Sequence, residues 1–205
     1  MICQANYTQS LLVYDMMKCM KTLLRIVIIT MHSKAKGQVT IGVDAKETLL
    51  MDVFKRQRIE ACGVLIGRID EAGNWHVEET QPLRNVYDSP VYFEFDPEDL
   101  LNVDLTYPGR VIGAYHSHPT GLARASGTDR LNMKRVNIDQ EIPWVWLIVS
   151  GPFDRSPTLL QQVQRQLGLL PDSSIIAYHH YEDEGLRRVS VQFEEEESFS
   201  ASEEQ

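Results

Sequence analysis

The sequence predicts an α/β sandwich built around one curved, mixed β-sheet that is flanked by helices. Short apolar or alternating segments typical of strands recur between residues 61 and 193, among segments of helical periodicity. The two kinds of segment do not alternate regularly, so repeated strand–helix–strand units with a parallel sheet are not expected. The chain has 205 residues, of which 43% are hydrophobic and 24% charged. This composition suits a single folded domain with extensions and excludes fibrous and fully disordered classes.

The first predicted elements are one amphipathic helix and two strands. Residues 43–58 carry apolar side chains at helical spacing among charged ones. The continuous apolar run 61–67 predicts a strand that is buried on both faces, with Glu60 at its mouth. After a turn at residues 70–74, residues 75–82 alternate moderately, as an exposed strand does.

The middle of the chain predicts two strands and two helix starts. Residues 91–95 read as a short strand, and a proline after Asp96 is typical of the first position of a helix, expected over residues 97–106. A turn then leads into a strand over residues 111–118. Alternate side chains of this strand are expected to share one face: Ile112, Ala114, His116 and His118. A loop over residues 121–125 precedes a helix that begins at Ser126.

The last predicted elements are three strands and one helix. Residues 144–150 are strongly apolar, residues 157–167 have helical character, and two closing strands cover residues 174–181 and 186–193. Residues 194–205 are an acidic tail that we expect to be disordered.

Residues 1–33 are expected to be a dispensable extension to a domain that covers residues 40–193. Their apolar stretch is interrupted by Arg25 and is shorter than the span of about 20 apolar residues that crosses a bilayer. A signal peptide is disfavoured because Asp15 lies where a basic region belongs and no small-residue cleavage pattern follows.

Charge and cysteine content limit the partners and the compartment. The net charge is −9, but six of the 29 acidic residues lie in the tail, so the rest of the chain is close to neutral. Such a surface offers no electrostatic footprint for nucleic acid or an anionic membrane, and neither partner is expected. The odd number of cysteines gives no disulfide framework and favours the cytoplasm. We interpret Cys62, inside the apolar run, as a packing residue rather than a nucleophile.

Residues 116–129 carry the side chains that predict chemistry. Because His116 and His118 are two apart on a strand, both imidazoles project to one side, with α-carbons about 7 Å apart, within reach of one metal ion. Asp129, in the first turn of the next helix, adds an oxygen ligand that zinc accepts beside two imidazoles. Three protein ligands leave a fourth position for water, as in catalytic zinc sites. Proton transfer then needs a general acid/base, for which Glu60 is the candidate.

Each of these features also has an ordinary structural explanation. Two histidines two apart on a strand can be polar residues on a solvated face. Ser126 and Asp129 have the spacing of a capping box, which satisfies backbone N–H groups at a helix start and is compatible with catalysis. Glu60 alone can be a surface charge at the end of a strand. The conjunction of all five residues favours the catalytic interpretation.

The same residues resemble a known family. The sequence EACGVLIG at residues 60–67, with HSHP at 116–119 followed by SGTD at 126–129, resembles the JAMM (JAB/MPN+) metalloprotease domain, especially its prokaryotic members. Residues 93–98 are also similar to a segment of those bacterial proteins. The resemblance covers residues 40–193 and implies a single-domain MPN/JAB-like (cytidine-deaminase-like) fold.

The resemblance also implies the roles of individual residues. His116, His118 and Asp129 would hold one zinc ion per chain. Glu60 would be the general base and then the general acid, and Ser126 would donate a hydrogen bond to the developing oxyanion. The implied activity is that of a zinc metallopeptidase or isopeptidase of the cytoplasm.

The implied substrate is an amide bond after the diglycine tail of a ubiquitin-like or sulfur-carrier protein. One way for such a tail to bind is as an added strand beside residues 111–118. Residues 88–92 and the loop 121–125 are then candidate walls of the groove. His179 and His180 are expected to lie on a closing strand rather than to bind metal.

Two alternatives stay open on the sequence. A RadC-like protein also has HxHP followed by threonine and glycine, then serine and aspartate at this spacing, although the strand at residues 60–67 fits JAMM better. A non-catalytic MPN-type binding module would hold the tail of a ubiquitin-like partner without cutting it. Because that branch typically lacks ligands, the complete residue set favours the enzyme.

Overall fold

Seven β-strands close into a barrel in the computed structural model, which describes residues 37–151, 153 and 174–194. The extension 1–33, the helix expected over residues 157–167 and tail residues 195–205 lie outside these ranges. The elements in chain order are β1 (Gln38–Ile41), α1 (Val43–Lys55), β2 (Cys62–Ile69), β3 (Trp75–Leu83), α2 (Pro97–Thr106), β4 (Val111–His118), α3 (Gly127–Lys134), a π-helical turn (Arg135–Asp139), β5 (Val145–Ser150), β6 (Ile175–Tyr181) and β7 (Gly185–Phe193).

The order of strands around the barrel is β1-β3-β2-β4-β5-β6-β7. The pairs β2–β3, β2–β4, β5–β6 and β6–β7 are antiparallel, and β4–β5 is parallel. The four-residue β1 runs parallel to both β3 and β7 and so joins the two ends of the sheet. The mixed α/β class is therefore confirmed, but the sheet is a closed barrel rather than the open curved sheet of a sandwich. Sequence analysis missed β1, which is too short for a clear period.

Alternate residues of the strands belong to different apolar clusters. On one face, Leu65 of β2 and Tyr115 of β4 pack with Leu49 and Val53 of α1. On the opposite face, Ala114 belongs to a second cluster that includes side chains of α3 and β5. Each fully buried large side chain contributes about 1.5–3 kcal/mol through loss of apolar surface to water. The expected amphipathic helix and the expected buried strand are both confirmed.

Ile112 does not share the face of Ala114, contrary to expectation. On β2, Leu65 pairs with Gly113 and Ile66 pairs with Val111, which leaves Ile112 as the extra residue of a bulge. A bulge interrupts the alternation of faces, and Ile112 packs in the same cluster as Tyr115. From Ala114 onward the alternation is regular, so His116 and His118 keep the expected common face.

The strand expected over residues 91–95 is wrong. This segment is irregular, and only Phe95 forms an isolated bridge, with Asn85. The Asn85 side chain accepts from the backbone N–H of Glu94 and donates to the carbonyl of Tyr92, so it binds the groups that a partner strand would use. The following helix start is confirmed, because Asp96 caps α2 by accepting from the N–H of Glu98 at 2.9 Å.

The remaining expected elements agree with the structure within one or two residues at their ends. They are the strands β3, β4, β5, β6 and β7 and the start of α3 at Ser126. The π-helical turn after α3 was not expected. Within the described ranges, no helix is both long and apolar enough to cross a bilayer.

Gly113 is required for the close approach of β4 to β5. A Cβ atom there would lie 2.2 Å from the carbonyl oxygen of Val145, a backbone atom that cannot move without disturbing the strand pair. We expect Gly113→Ala to lower the free energy of unfolding by about 1–3 kcal/mol or more, measured by urea denaturation. The matched control is Gly127→Ala, because a Cβ at Gly127 meets no atom within 4 Å. Equal stabilities of the two variants would contradict the tight β4–β5 contact.

Candidate active site

Pairing between β2 and β4 brings Glu60 to the two histidines. The N–H of Ser117 donates to the carbonyl of Ala61 at 2.8 Å, and the N–H of Ala61 donates to Oγ of Ser117 at 2.9 Å. Cys62 pairs with His116, so the antiparallel register places Glu60 opposite His118. Residues directly opposite each other on antiparallel strands point to the same face. The Glu60 carboxyl therefore faces the imidazoles.

His116, His118 and Asp129 form a compact, buried donor set. The Nε2 atoms of the two histidines are 3.1 Å apart; that of His116 lies 3.3 Å from Oδ1 of Asp129, and that of His118 lies 3.3 Å from Oδ2. Zinc–ligand distances of about 2.0–2.1 Å in a tetrahedron give ligand–ligand distances of about 3.3 Å. The described residues therefore fit one zinc ion, with two imidazole nitrogens and the carboxylate of Asp129 as ligands.

The imidazole of His118 is oriented by the loop that follows β4. Its Nδ1 lies 2.7 Å from the carbonyl oxygen of Leu122. Because a carbonyl only accepts, Nδ1 carries the proton, and the lone pair of Nε2 points into the donor set. Leu122 thus fixes the tautomer that a metal ligand needs.

The imidazole of His116 is held differently. Its Nδ1 is buried and has no hydrogen-bond partner among the described residues. Instead the ring stacks on Phe93, with centroids 4.5 Å apart and an interplanar angle of 24°. An aromatic contact from residues 85–95 therefore sets the plane of this ring.

The helix start of α3 positions Asp129. The N–H of Ser126 donates to Oδ2 of Asp129 at 2.7 Å, and the N–H of Asp129 donates to Oγ of Ser126 at 3.2 Å. This reciprocal pair is a capping box, as the spacing predicted. The Ser126 hydroxyl accepts one hydrogen bond in this role and keeps its own O–H available for donation. Capping and a bond to substrate are therefore compatible.

The three side chains of the donor set have pKa values that are shifted in different directions. Burial raises the pKa of Asp129, but hydrogen bonds from His116 and His118 outweigh burial and hold that pKa well below its usual range. Burial lowers the pKa of His116 and favours its neutral form. For His118, burial lowers the pKa, yet hydrogen bonds to Asp129 and Leu122 prevail and raise it. The site therefore holds a carboxylate beside a neutral, ligand-competent imidazole.

The carboxyl of Glu60 has a pKa shifted towards neutrality. Glu60 is buried, and burial raises the pKa of its carboxyl to about 7, with His118 acting to lower it and Asp129 to raise it. A carboxyl whose pKa lies near neutrality can both accept and return a proton at working pH.

Sequence reasoning missed the side chains that orient this set. Asn85 is buried and binds the backbone of Glu60 and of residues 87–94. Phe93 lies in the segment that resembles bacterial family members, but no role was expected for it. Their signal in the sequence, an asparagine and an aromatic residue within an expected strand, does not reveal which groups they contact.

The active-site strand has no free edge for a substrate strand. β4 pairs with β5 up to His118 and with β2 up to His116, and the N–H of Ser117 adds a bond to the carbonyl of Ala61. A tail that adds as a strand beside residues 111–118 is therefore excluded by the structure. The candidate walls at residues 88–92 and 121–125 are partly exposed loops near the site.

Comparison with known proteins identifies the fold family. The family model described as prokaryotic homologs of the JAB domain matches residues 44–164, more than half of the chain. The chain belongs to the prokaryotic JAB family. A curated JAB relative, the desampylase of Pyrococcus furiosus, is 33% identical over 104 residues, which are 49% of this chain and 66% of that protein. The alignment thus spans just under two thirds of the relative's length.

A solved structure has a similar fold. The solution structure of a protein from Desulfitobacterium hafniense superposes with a TM-score of 0.56 at 27% identity. The match covers 78% of this chain and 94% of that one.

Metal binding is expected to stabilise this JAB domain through His118. Zinc at 100 times its dissociation constant should raise the free energy of unfolding by about 2.7 kcal/mol, measured by thermal unfolding with and without zinc. His118→Ala should abolish this increment. The matched control is His179→Ala, because His179 is also buried but contacts the carbonyl of Trp144 instead. A zinc increment that survives in His118→Ala would rule out the donor set.

Proposed function

We propose that the protein is a zinc-dependent isopeptidase or peptidase that hydrolyses an amide bond after the C-terminal tail of a ubiquitin-like or sulfur-carrier protein. The observation that carries this proposal is the donor set of two imidazoles and one carboxylate at tetrahedral spacing, with the buried Glu60 carboxyl on the same face. Neither a packing role nor a capping role requires that combination.

His116, His118 and Asp129 are the proposed zinc ligands, with one ion per chain. When bound, zinc supplies a Lewis acid that polarises the scissile carbonyl and lowers the pKa of its water to about 7. The ligands come from the end of one strand and the first turn of one helix, so the barrel and the capping box fix their spacing. The fold therefore orders the proposed ligands before a substrate binds.

Glu60 is the proposed general base and then general acid. Its carboxylate takes a proton from the attacking water and returns it to the departing amine. Both transfers suit a group whose pKa is raised to about 7 by burial. General acid/base catalysis of this kind typically contributes a factor of about 10²–10⁴ in rate.

Ser126 is the proposed donor to the oxyanion. Its Oγ accepts from the N–H of Asp129, which orients the side chain at the start of α3. The hydroxyl proton remains free to bond the oxygen on which negative charge develops. A donor fixed in advance at that point stabilises the transition state without reorganisation.

The proposed substrate class rests on the relative named desampylase, whose name denotes removal of a ubiquitin-like modifier. We propose that this chain acts on the diglycine tail of such a protein in the cytoplasm. Loops at residues 88–92 and 121–125 would then line the tail, because the edges of β4 are occupied. The proposed catalytic domain covers residues 40–193.

Replacement of the general base tests the mechanism. We expect Glu60→Gln to keep one zinc per chain by native mass spectrometry and to lose at least about 10²-fold in kcat. The assay is cleavage of a linear fusion in which a ubiquitin-like domain ending in Gly-Gly precedes a reporter peptide. His118→Ala should lose both zinc and cleavage.

The matched control for this test is Glu47→Gln, since Glu47 is exposed on α1, away from the donor set. Its kcat should equal that of the parent protein. Turnover near the parent rate in Glu60→Gln would refute the assignment of the base. Zinc binding without any cleavage by the parent protein would favour the binding module.

The pH dependence of cleavage follows from the protonation of Glu60. Burial raises its pKa to about 7, and the base must be ionised to act, so kcat/KM should fall as the pH drops below about 7. A bound cation lowers the pKa of a neighbouring carboxyl, so the fall in kcat/KM is expected at or below about pH 7. A rate that increases from pH 7 to pH 5 would contradict this role of Glu60.

A further inference from the structure

Asn85 is a buried side chain that uses every hydrogen bond it can make. It is 2% exposed. Its Nδ2 donates to the carbonyls of Glu60 at 3.1 Å and Tyr92 at 3.0 Å. Its Oδ1 accepts from the N–H groups of Tyr87 at 3.1 Å and Glu94 at 3.3 Å. Two donors and two acceptor sites are the full capacity of an asparagine amide.

The backbone of Glu60 is held by this segment. Glu60 precedes β2, whose ladder begins at Cys62. Its carbonyl accepts from Asn85, and its N–H donates to the carbonyl of Ser89 at 2.8 Å. The main-chain orientation of the proposed base is therefore set by residues 85–89.

The same amide also fixes Phe93, which stacks on the proposed ligand His116. Asn85 binds the carbonyl of Tyr92 and the N–H of Glu94, the residues on either side of Phe93. The backbone is therefore held by Asn85 on both sides of Phe93. One side chain consequently connects the proposed base with the ring that supports a proposed ligand.

We propose that Asn85 is a positioning residue for the hydrolytic reaction, which holds Glu60 and the Phe93 segment in register with each other. This inference rests on the proposed function. An amide suits this position because it donates twice, to the carbonyls of Glu60 and Tyr92, while it accepts twice, whereas a hydroxyl has a single proton to donate. A carboxylate at this position keeps the acceptor bonds but cannot donate.

Asn137 offers a matched control for the loss of a buried amide. It is 8% exposed, and its Nδ2 donates to the carbonyls of Ile142 and Trp144, both at 2.9 Å. Its Oδ1 accepts from Nε1 of Trp146 and from the N–H of His180. Asn137 therefore also donates twice and accepts twice, but its partners lie in the connection between the π-helical turn and β5, in β5 and in β6.

The experiment compares Asn85→Ala, Asn85→Asp and Asn137→Ala in the full chain. Both alanine variants should lose a similar amount of thermal stability. Asn85→Ala and Asn85→Asp should lower kcat for the Gly-Gly fusion by about 10–100-fold, because a small displacement of a catalytic group has an effect of that size. KM and zinc stoichiometry should remain within a factor of about two of the parent values, and Asn137→Ala should retain the parent kcat.

Amide hydrogen exchange supplies a readout that needs no substrate. In Asn85→Ala, exchange at the N–H groups of Glu60 and Glu94 should accelerate at least about tenfold, since protection reflects local opening. Asn85→Asp should accelerate exchange at Glu60 more than at Glu94, because the acceptor bond to Glu94 is kept. Asn137→Ala should leave both amides unchanged.

These readouts separate the proposed hydrolytic function from the positioning role of Asn85. If the parent protein cleaves no fusion, the proposed function fails, while exchange at Glu60 still tests the positioning role. If the parent cleaves and Asn85→Ala has the kcat of Asn137→Ala, the positioning role is wrong. Unchanged exchange at Glu60 in Asn85→Ala would overturn it equally.

Discussion

The register between β2 and β4 is the constraint on which the site depends. Ala61 and Ser117 bond each other in both directions, through three backbone groups and one hydroxyl. A slip of one residue in an antiparallel pair turns a side chain to the other face of the sheet. The Glu60 carboxyl would then point away from His118. The hydroxyl of Ser117, which lies between the two histidines in sequence, thus stabilises the register that places Glu60 opposite His118.

A second dependence links helix formation with ligand placement. Asp129 completes the first turn of α3 through the N–H of Ser126 and also faces both imidazoles. The hydrogen bonds that start α3 therefore also place Asp129 in the donor set, and the loop between His118 and Ala125 orients His118 through Leu122. Residues 85–95 add the counterpart on the other side, where one amide holds both the base and Phe93. Main-chain groups from different segments bind Glu60, His118 and Asp129, whereas His116 packs against the ring of Phe93.

The sequence predicted the parts of the structure that local pattern controls. Strand β4, the capping box at Ser126 and the spacing of the two histidines follow from short-range rules, and all are present. The strand at residues 91–95 was wrong because a buried side chain, Asn85, took the place of a partner strand. Closure by β1 and the bulge at Ile112 depend on pairing between distant segments, for which four residues or a single insertion carry no periodic signal.

The closed barrel also affects how the protein behaves among many copies of itself. An open sheet presents rows of unpaired N–H and C=O groups that can template the addition of foreign strands. Each of the seven described strands has two neighbours, so main-chain templating of this kind is blocked around the described sheet. Around this sheet, contacts with other proteins are left to side chains and loops. Changes in the loops between its strands leave the paired main-chain groups covered, so they create no new strand edge along the described sheet.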